Sequence, residues 1–256
     1  METTHQFLSL SYTVIRKSKK NISIKIDEKG KVIIYAPYHI SYKYIEEVVK
    51  NKIPWILKNV HIVKERMQNV KLIDIQQGKK ILWLGKLLNI KKYILDTQKY
   101  YIKIFKNNFV IYGSKTLLED EENMRDIIFK FYREKAKLIF KYKVNVYSKK
   151  LNVYPKNITI RCQKTIWGSC YSNGNINFNC RLLMAPMRII EYIVVHELCH
   201  LVYMNHSKDY WKLVEHEIPD YVSRRDWLKN NGYILVFPMN LKGGIYINKP
   251  YIHIVR

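Results

Sequence analysis

Apolar and polar positions alternate along this chain with two different repeats, and each change of repeat marks an element. Tyr12–Ile15, Ile22–Ile26 and Val32–Tyr35 are β-prone runs, the second alternating cleanly as a half-buried strand does. Asp27-Glu28-Lys29-Gly30 supplies a hairpin turn between the last two, and Ala36-Pro37 ends the third. From Ser41, whose hydroxyl can cap a helix, the repeat changes to three and four. Ile45, Val48, Val49, Ile53, Ile56, Leu57, Val60 and Val63 predict a helix that Pro54 kinks or restarts. Trp55 lies among these apolar positions and is expected in the core. Leu82–Lys86, Tyr93–Leu95, Tyr100–Phe105 and Phe109–Tyr112 return to β character, with a turn at Asn107-Asn108.

A long helix is expected over 119–148, with acids at its start and lysines near its end, as the helix dipole favours. Met124, Ile127, Ile128, Phe131, Leu138, Ile139, Tyr142 and Val146 form its expected apolar face. Strand-like runs at Ile158–Arg161, Thr165–Cys170 and Ile176–Phe178 follow, the last two joined by a turn at Ser172–Asn175. Pro186 opens the next helix, and another begins after Ser207 and stops before Pro219. The pattern predicts an α+β chain in three parts. A β-rich module with one helical segment spans 1–115, a second domain spans 116–237, and 238–256 is a tail without assignable role.

The stretch Val194–His206 concentrates the chemistry. It holds H-E-x-x-H, and residues four apart on a helix share a face, so His196 and His200 can aim at one point. His206 follows Met204-Asn205, where the helix should have ended, and a turn there brings it back as a third ligand. Three protein ligands with a fourth position open describe a catalytic zinc site, one Zn²⁺ ion per chain. Glu197 stands beside them as the general base for zinc-bound water. Ile190, Val194, Val195, Leu198, Leu201 and Val202 form an apolar stripe on the other side, so the helix reads as core on one face and site on the other. Cys199 reads as a small buried thiol rather than a ligand.

Composition changes this picture little. Forty-eight per cent hydrophobic residues exclude general disorder. The net charge of +24, from 45 Lys+Arg against 21 Asp+Glu, has two sources to weigh. One is codon bias toward lysine, isoleucine, asparagine and tyrosine. The other is a polyanionic partner such as nucleic acid or nucleotide. The lysines are scattered, with no dense basic block to mark a nucleic-acid surface. Cys162, Cys170, Cys180 and Cys199 contain no C-x-x-C pair, which argues for reduced thiols rather than a zinc ribbon or a disulfide framework. The N-terminus has no signal-peptide pattern and no apolar run reaches membrane-spanning length, so the expected location is cytoplasmic with no membrane partner.

Thr165-x-Trp167-Gly168-Ser169-Cys170, Asn173-Gly174, Ala185-Pro186, Val194–Leu201 and Asn205-His206-Ser207-x-x-Tyr210-Trp211 together resemble the YgjP-like metallopeptidase family. Pro219-Asp220-Tyr221, Trp227-Leu228, Ile33-x-x-Ala36-Pro37 and Leu84-Gly85 continue the likeness, which covers about 10–237. The resemblance implies a zincin-like core related to the SprT and WLM peptidases. It places His196, His200 and His206 as zinc ligands and Glu197 as the catalytic glutamate. Ile166 stands where that family often has arginine, and Tyr210 where phenylalanine is common. The histidine spacing equals that of metzincins, but Tyr203 occupies the place of their glycine, so this is not a metzincin.

The main functional expectation is a zinc-dependent metallopeptidase acting on a peptide or protein. Trp167, Gly168 and Ser169 are substrate-binding candidates, since a strand there could pair with an extended peptide; core packing for Trp167 and a bulge at Gly168 are the alternatives. Tyr203 and Tyr221 are candidates for oxyanion stabilisation, with packing the competing role. A metal-dependent nucleotide phosphohydrolase, of the nucleoside triphosphate pyrophosphatase type, is the second reading, and a nucleic-acid-associated protease or binding protein the third.

Overall fold

The β-prone runs before residue 40 join one sheet, with a polar strand ahead of them that the apolar pattern does not signal. The computed structural model describes residues 2–7, 10–27, 30–71, 80–163 and 166–235. Residues 28–29 of the expected hairpin turn, Thr165 and the tail 238–256 lie outside these. The described residues form two compact units, 2–71 and 80–235. The expected division at 115 therefore falls inside the second unit. The reason is that strands after residue 80 and the long helix share one hydrophobic cluster.

In the first unit, β1 (Glu2–Phe7), β2 (Leu10–Arg16), β3 (Ser23–Ile26) and β4 (Val32–Ala36) pair in the order β1-β2-β4-β3. Only the β2–β4 pair is parallel, with Val14 opposite Ile34. Helix α1 (Tyr42–Lys71) runs through Pro54 as one helix. Its buried residues Ile45, Val49 and Ile56 join Val14, Val32 and Ile34 in one small core. Trp55, expected in that core, is 49% exposed. One residue from Ile56 is about 100° of helix rotation, enough to turn the indole off the buried stripe.

The second unit begins with β5 (Lys80–Trp83), β6 (Lys86–Ile94), β7 (Tyr101–Phe105) and β8 (Asn108–Gly113), paired β5-β6-β8-β7 with β6 and β8 parallel. The β7–β8 turn is one residue earlier than expected, centred on Lys106-Asn107 with Lys106 at positive φ. A short helix α2 (Lys115–Glu119) precedes α3 (Glu121–Leu151), which Asp120 starts by accepting the Asn123 N–H at 2.7 Å. Asn152 ends α3 in the left-handed conformation. Its buried face steps by fours through Ile128, Tyr132, Ala136, Phe140, Val144 and Ser148. Leu138 and Tyr142, expected on that face, are 63% and 64% exposed because each is two residues out of this step. Phe140 stacks on Phe178 with ring centroids 4.4 Å apart, which ties α3 to the last sheet.

That sheet contains β9 (Asn157–Arg161), β10 (Gly168–Cys170) and β11 (Asn175–Asn179), with β11 central, parallel to β9 and antiparallel to β10. A 3₁₀ turn over Cys180–Met184 leads to α4 (Met187–Cys199), then α5 (Lys208–Glu217) and α6 (Tyr221–Asn231). The chain is α+β, with its helices concentrated after the N-terminal sheets. No described helix is long and apolar enough to cross a membrane.

The start of α4 is fixed by the β5–β6 turn. Leu84 and Gly85 both have positive φ, the type I′ geometry of a two-residue hairpin. Their N–H groups donate to the carbonyls of Leu183 and Met184 at 2.7 and 3.2 Å. A Cβ on Gly85 would stand 2.8 Å from Pro186 Cγ and 3.0 Å from its Cα. Gly85→Ala is therefore expected to cost about 2–5 kcal/mol, combining left-handed strain with overpacking. Gly30→Ala, equally left-handed but no closer than 3.8 Å to any neighbour, should cost only about 1–2 kcal/mol. Urea unfolding midpoints compare the two, and equal losses would discount the Pro186 contact.

Candidate metal centre

Helix α4 is apolar almost all round: Ile189, Ile190, Ile193, Val194, Val195, Leu198 and Cys199 are all buried. Its polar residues are therefore the exceptions to explain. The helix ends at Cys199 rather than running on through the apolar stripe to Val202, which is 46% exposed. A turn follows in which the Val202 and Tyr203 N–H groups both donate to the Cys199 carbonyl. The chain then doubles back through Met204-Asn205, and Ser207 caps α5 by accepting the Tyr210 N–H.

This reversal brings the three histidines together. His196 and His206 present their Nε2 atoms to each other at 3.4 Å. One ligand nitrogen from each of His196, His200 and His206 lies within 4.8 Å of the others. Two nitrogens bound at 2.0–2.1 Å to one tetrahedral ion would stand about 3.3–3.4 Å apart, so the pair already has ligand spacing. His200 Nδ1 lies 3.0 Å from the Tyr203 carbonyl oxygen, a contact that requires Nδ1 to donate. That fixes the tautomer and leaves the Nε2 lone pair free, the usual outer hydrogen bond of a ligating histidine. His196 Nδ1 is buried without a hydrogen-bond partner among the described residues.

Aromatic rings hold the imidazoles in place. Tyr210 stacks on His200 at 4.6 Å, and Trp211 stacks on His206 at 5.4 Å. The Tyr210 hydroxyl also donates to the His196 carbonyl at 3.1 Å, a bond that phenylalanine could not make. Burial lowers the pKa of all three histidines, His196 most strongly, with neighbouring imidazoles adding to the effect at His196 and His206. The imidazoles are thus neutral at neutral pH, the state a metal ligand needs. Cys199 is buried and outside the group, so its sulfur does not compete for the cluster.

Glu197 is 4% exposed and has no hydrogen bond or ion pair among the described residues. Burial pushes its carboxyl from the ordinary 4.5 up to about 8. It rests directly on Gly168 of β10. A Cβ there would come within 2.8 Å of both Glu197 Cγ and Cδ, and closer still to Oε1. Only glycine lets the strand and the carboxyl occupy this space together.

A cleft of about 340 Å³ opens over the cluster, lined by His196, Glu197, His200 and His206 together with Trp167, Gly168 and Ser169. Of the other expected site residues, Tyr203 and Tyr221 do not line it. Tyr203 contributes its backbone carbonyl to His200, and Tyr221 stacks behind Trp211 at 5.2 Å. Trp167 faces the cleft and also carries the Arg181 guanidinium over its ring at 5.1 Å. Tyr192 and Arg225 line the cleft without having been singled out in the sequence. Tyr192 was legible, being four residues before His196 and so on the same helical face. Arg225 comes from α6 and carried no local signal.

An α+β fold with three convergent imidazoles beside a buried acid has the parts of a metallopeptidase. The family model described as YgjP-like, metallopeptidase domain, matches residues 20–231, and the chain belongs to that family. Among solved structures, the chain is similar to the metallopeptidase zymogen of Pyrococcus abyssi abylysin. The two share 21% identity over 36% of this chain and 93% of that one, with a TM-score of 0.34. No curated protein matches.

The raised Glu197 pKa has a measurable consequence for the metal-free protein. Between about 4.5 and 8 the folded state holds a proton that the unfolded state releases, so stability falls as pH rises through that window. Glutamine has no such proton. Metal-free Glu197→Gln should therefore gain stability over the wild type as pH rises from 5 to 8, measured by denaturant unfolding at both values. A constant difference would mean that Glu197 is not held protonated.

Proposed function

We propose that this member of the metallopeptidase family is a zinc-dependent peptidase in which His196, His200 and His206 hold one ion and Glu197 is the general base. The observation that carries the reading is the 3.4 Å Nε2–Nε2 spacing of His196 and His206, with His200 oriented by its Nδ1 bond. A bound zinc ion would lower the pKa of water to roughly 7 and polarise a carbonyl. Histidine-only ligation suits zinc better than magnesium or calcium, which prefer oxygen.

A dication bound beside Glu197 would favour the ionised carboxylate over the protonated form of the metal-free site. Glu197 would then take a proton from water and return it to the departing amine. Its carboxyl is walled in by Gly168, so it keeps one position over the cleft. Strand β10 is the edge of its sheet and lines the cleft. An extended peptide could pair with its free edge through backbone hydrogen bonds, leaving alternate side chains to face the walls. Ile166, Trp167, Tyr192, Ile193 and Leu228 make those walls largely apolar. Among the described residues Arg225 is the only Lys or Arg that lines the cleft, which gives a triphosphate little to bind. The peptide reading is therefore favoured over the nucleotide one.

Glu197→Gln should retain about one zinc per chain by metal analysis while casein cleavage falls by about 10²–10⁴-fold, the usual contribution of a positioned base. His200→Ala should lose the zinc itself. Retained cleavage in Glu197→Gln, or phosphate release from nucleoside triphosphates without casein cleavage, would overturn the reading. Gly168→Ala should likewise retain zinc and lose turnover, because the added methyl displaces the Glu197 carboxyl. Undiminished turnover there would mean that Glu197 does not need its present position.

A further inference from the structure

Strands β9 and β11 run parallel with Arg161 opposite Asn179, and the next residue on each is a cysteine. Cys162 is exposed and Cys180 fully buried. The register puts them side by side at the same end of the β9–β11 pair. Adjacent strands lie about 4.8 Å apart, inside the range of Cα separations that a disulfide spans, and each cysteine directly follows the last paired residue of its strand. Both sulfurs are reduced in this structure. The hydrogen bond donated by Cys180, followed by the charges of Arg181 and Arg133, draws the Cys162 pKa down against the effect of burial. The same hydrogen bond, with burial, pushes Cys180 up. One sulfur is thus reachable and more readily ionised than an ordinary thiol, while its neighbour is shielded and held protonated. That asymmetry is what a peroxide-reactive thiol beside a resolving thiol requires.

We propose that Cys162 and Cys180 are a reversible redox pair, with Cys162 reacting with hydrogen peroxide and Cys180 resolving the product. The Cys162 thiolate attacks one peroxide oxygen, the O–O bond breaks, and the departing hydroxide takes a proton to leave as water. Cys162 is then a sulfenic acid. The Cys180 sulfur attacks it, the S–S bond forms, and the hydroxyl leaves with the Cys180 proton as a second water. Two thiols have given up two electrons, and one peroxide has become two waters. A dithiol reverses the bond by exchange.

The pair sits at the root of the segment that carries Trp167 and Gly168. The Gln163 carbonyl, one residue beyond Cys162, accepts from Asn179 Nδ2 and from the Arg181 guanidinium, both at 2.7 Å. Both donors flank Cys180. Asn179 Nδ2 also donates to the Ile166 carbonyl at 2.8 Å. The disulfide chemistry itself does not depend on the peptidase reading.

The test is a non-reducing peptide map of the full-length protein after treatment with hydrogen peroxide and alkylation. The expected result is a Cys162–Cys180 cross-linked peptide two hydrogens lighter than its parts. The free-thiol titre in denaturant should fall from four to two and return with dithiothreitol. Cys162→Ser should abolish the cross-link and the loss of titre. Cys180→Ala should divert Cys162 to sulfinic acid, which dithiothreitol does not reverse. Sulfinic acid on Cys162 in the wild type with Cys180 still alkylated would overturn the proposal. So would an equal loss of titre in Cys162→Ser.

Discussion

Everything about the site follows from placing polar groups on a helix that is otherwise core. Most of helix α4 is buried among apolar neighbours, and water is largely kept from the charged forms of His196 and Glu197. In the metal-free site the three imidazoles and the Glu197 carboxyl all move toward their neutral forms, the imidazoles losing their protons and the carboxyl keeping its own. The result is three lone pairs and one neutral acid in a small volume, with His196 Nδ1 unpaired among the described residues. Such a set is costly in a purely structural role and well matched to a divalent cation, which the lone pairs can bind without neutralising one another.

Two missing side chains decide where that helix lies. At its start Gly85 leaves room for Pro186, and near its end Gly168 leaves room for Glu197. Each glycine comes from a hairpin, so close backbone approach by the strands adds to the side-chain packing that locates the helix. Tyr210 completes the arrangement from the far side, ring against His200 and hydroxyl on the His196 carbonyl. A phenylalanine at this position would keep the stacking and lose the bond that ties the α4 carbonyl to α5.

The sequence carried the convergence of the histidines because it depends on local geometry. Four-residue spacing sets one face, and a short loop with a capping serine returns the third imidazole. Element types were legible for the same reason, since a repeat of two or of three and four reflects which face is buried. Misassigned faces came where many apolar residues crowd one helix. Trp55, Leu138 and Tyr142 are apolar at nearly acceptable spacing, and only the partner surface decides which stripe is covered. Strand β1 was missed because an edge strand of Thr, His and Gln has no apolar alternation to show. Arg225 and the backbone role of Tyr203 depend on tertiary approach, which no local pattern encodes.

The net charge of +24 looks at first like a statement about substrate, but the lining of the cleft argues otherwise. Among the described residues the cleft gathers one arginine against one buried acid and several apolar side chains. Lysines are strongly hydrated point charges, and away from a cleft they act through a diffuse field screened within about 8–10 Å at ordinary salt. A field of that kind can raise the encounter rate of any acidic partner without choosing among them. Selection must then come from the cleft, where the usable groups are the free edge of β10, apolar walls and Arg225. Those features discriminate by backbone direction and side-chain shape, as peptide recognition does, whereas a polyphosphate would need several converging cations.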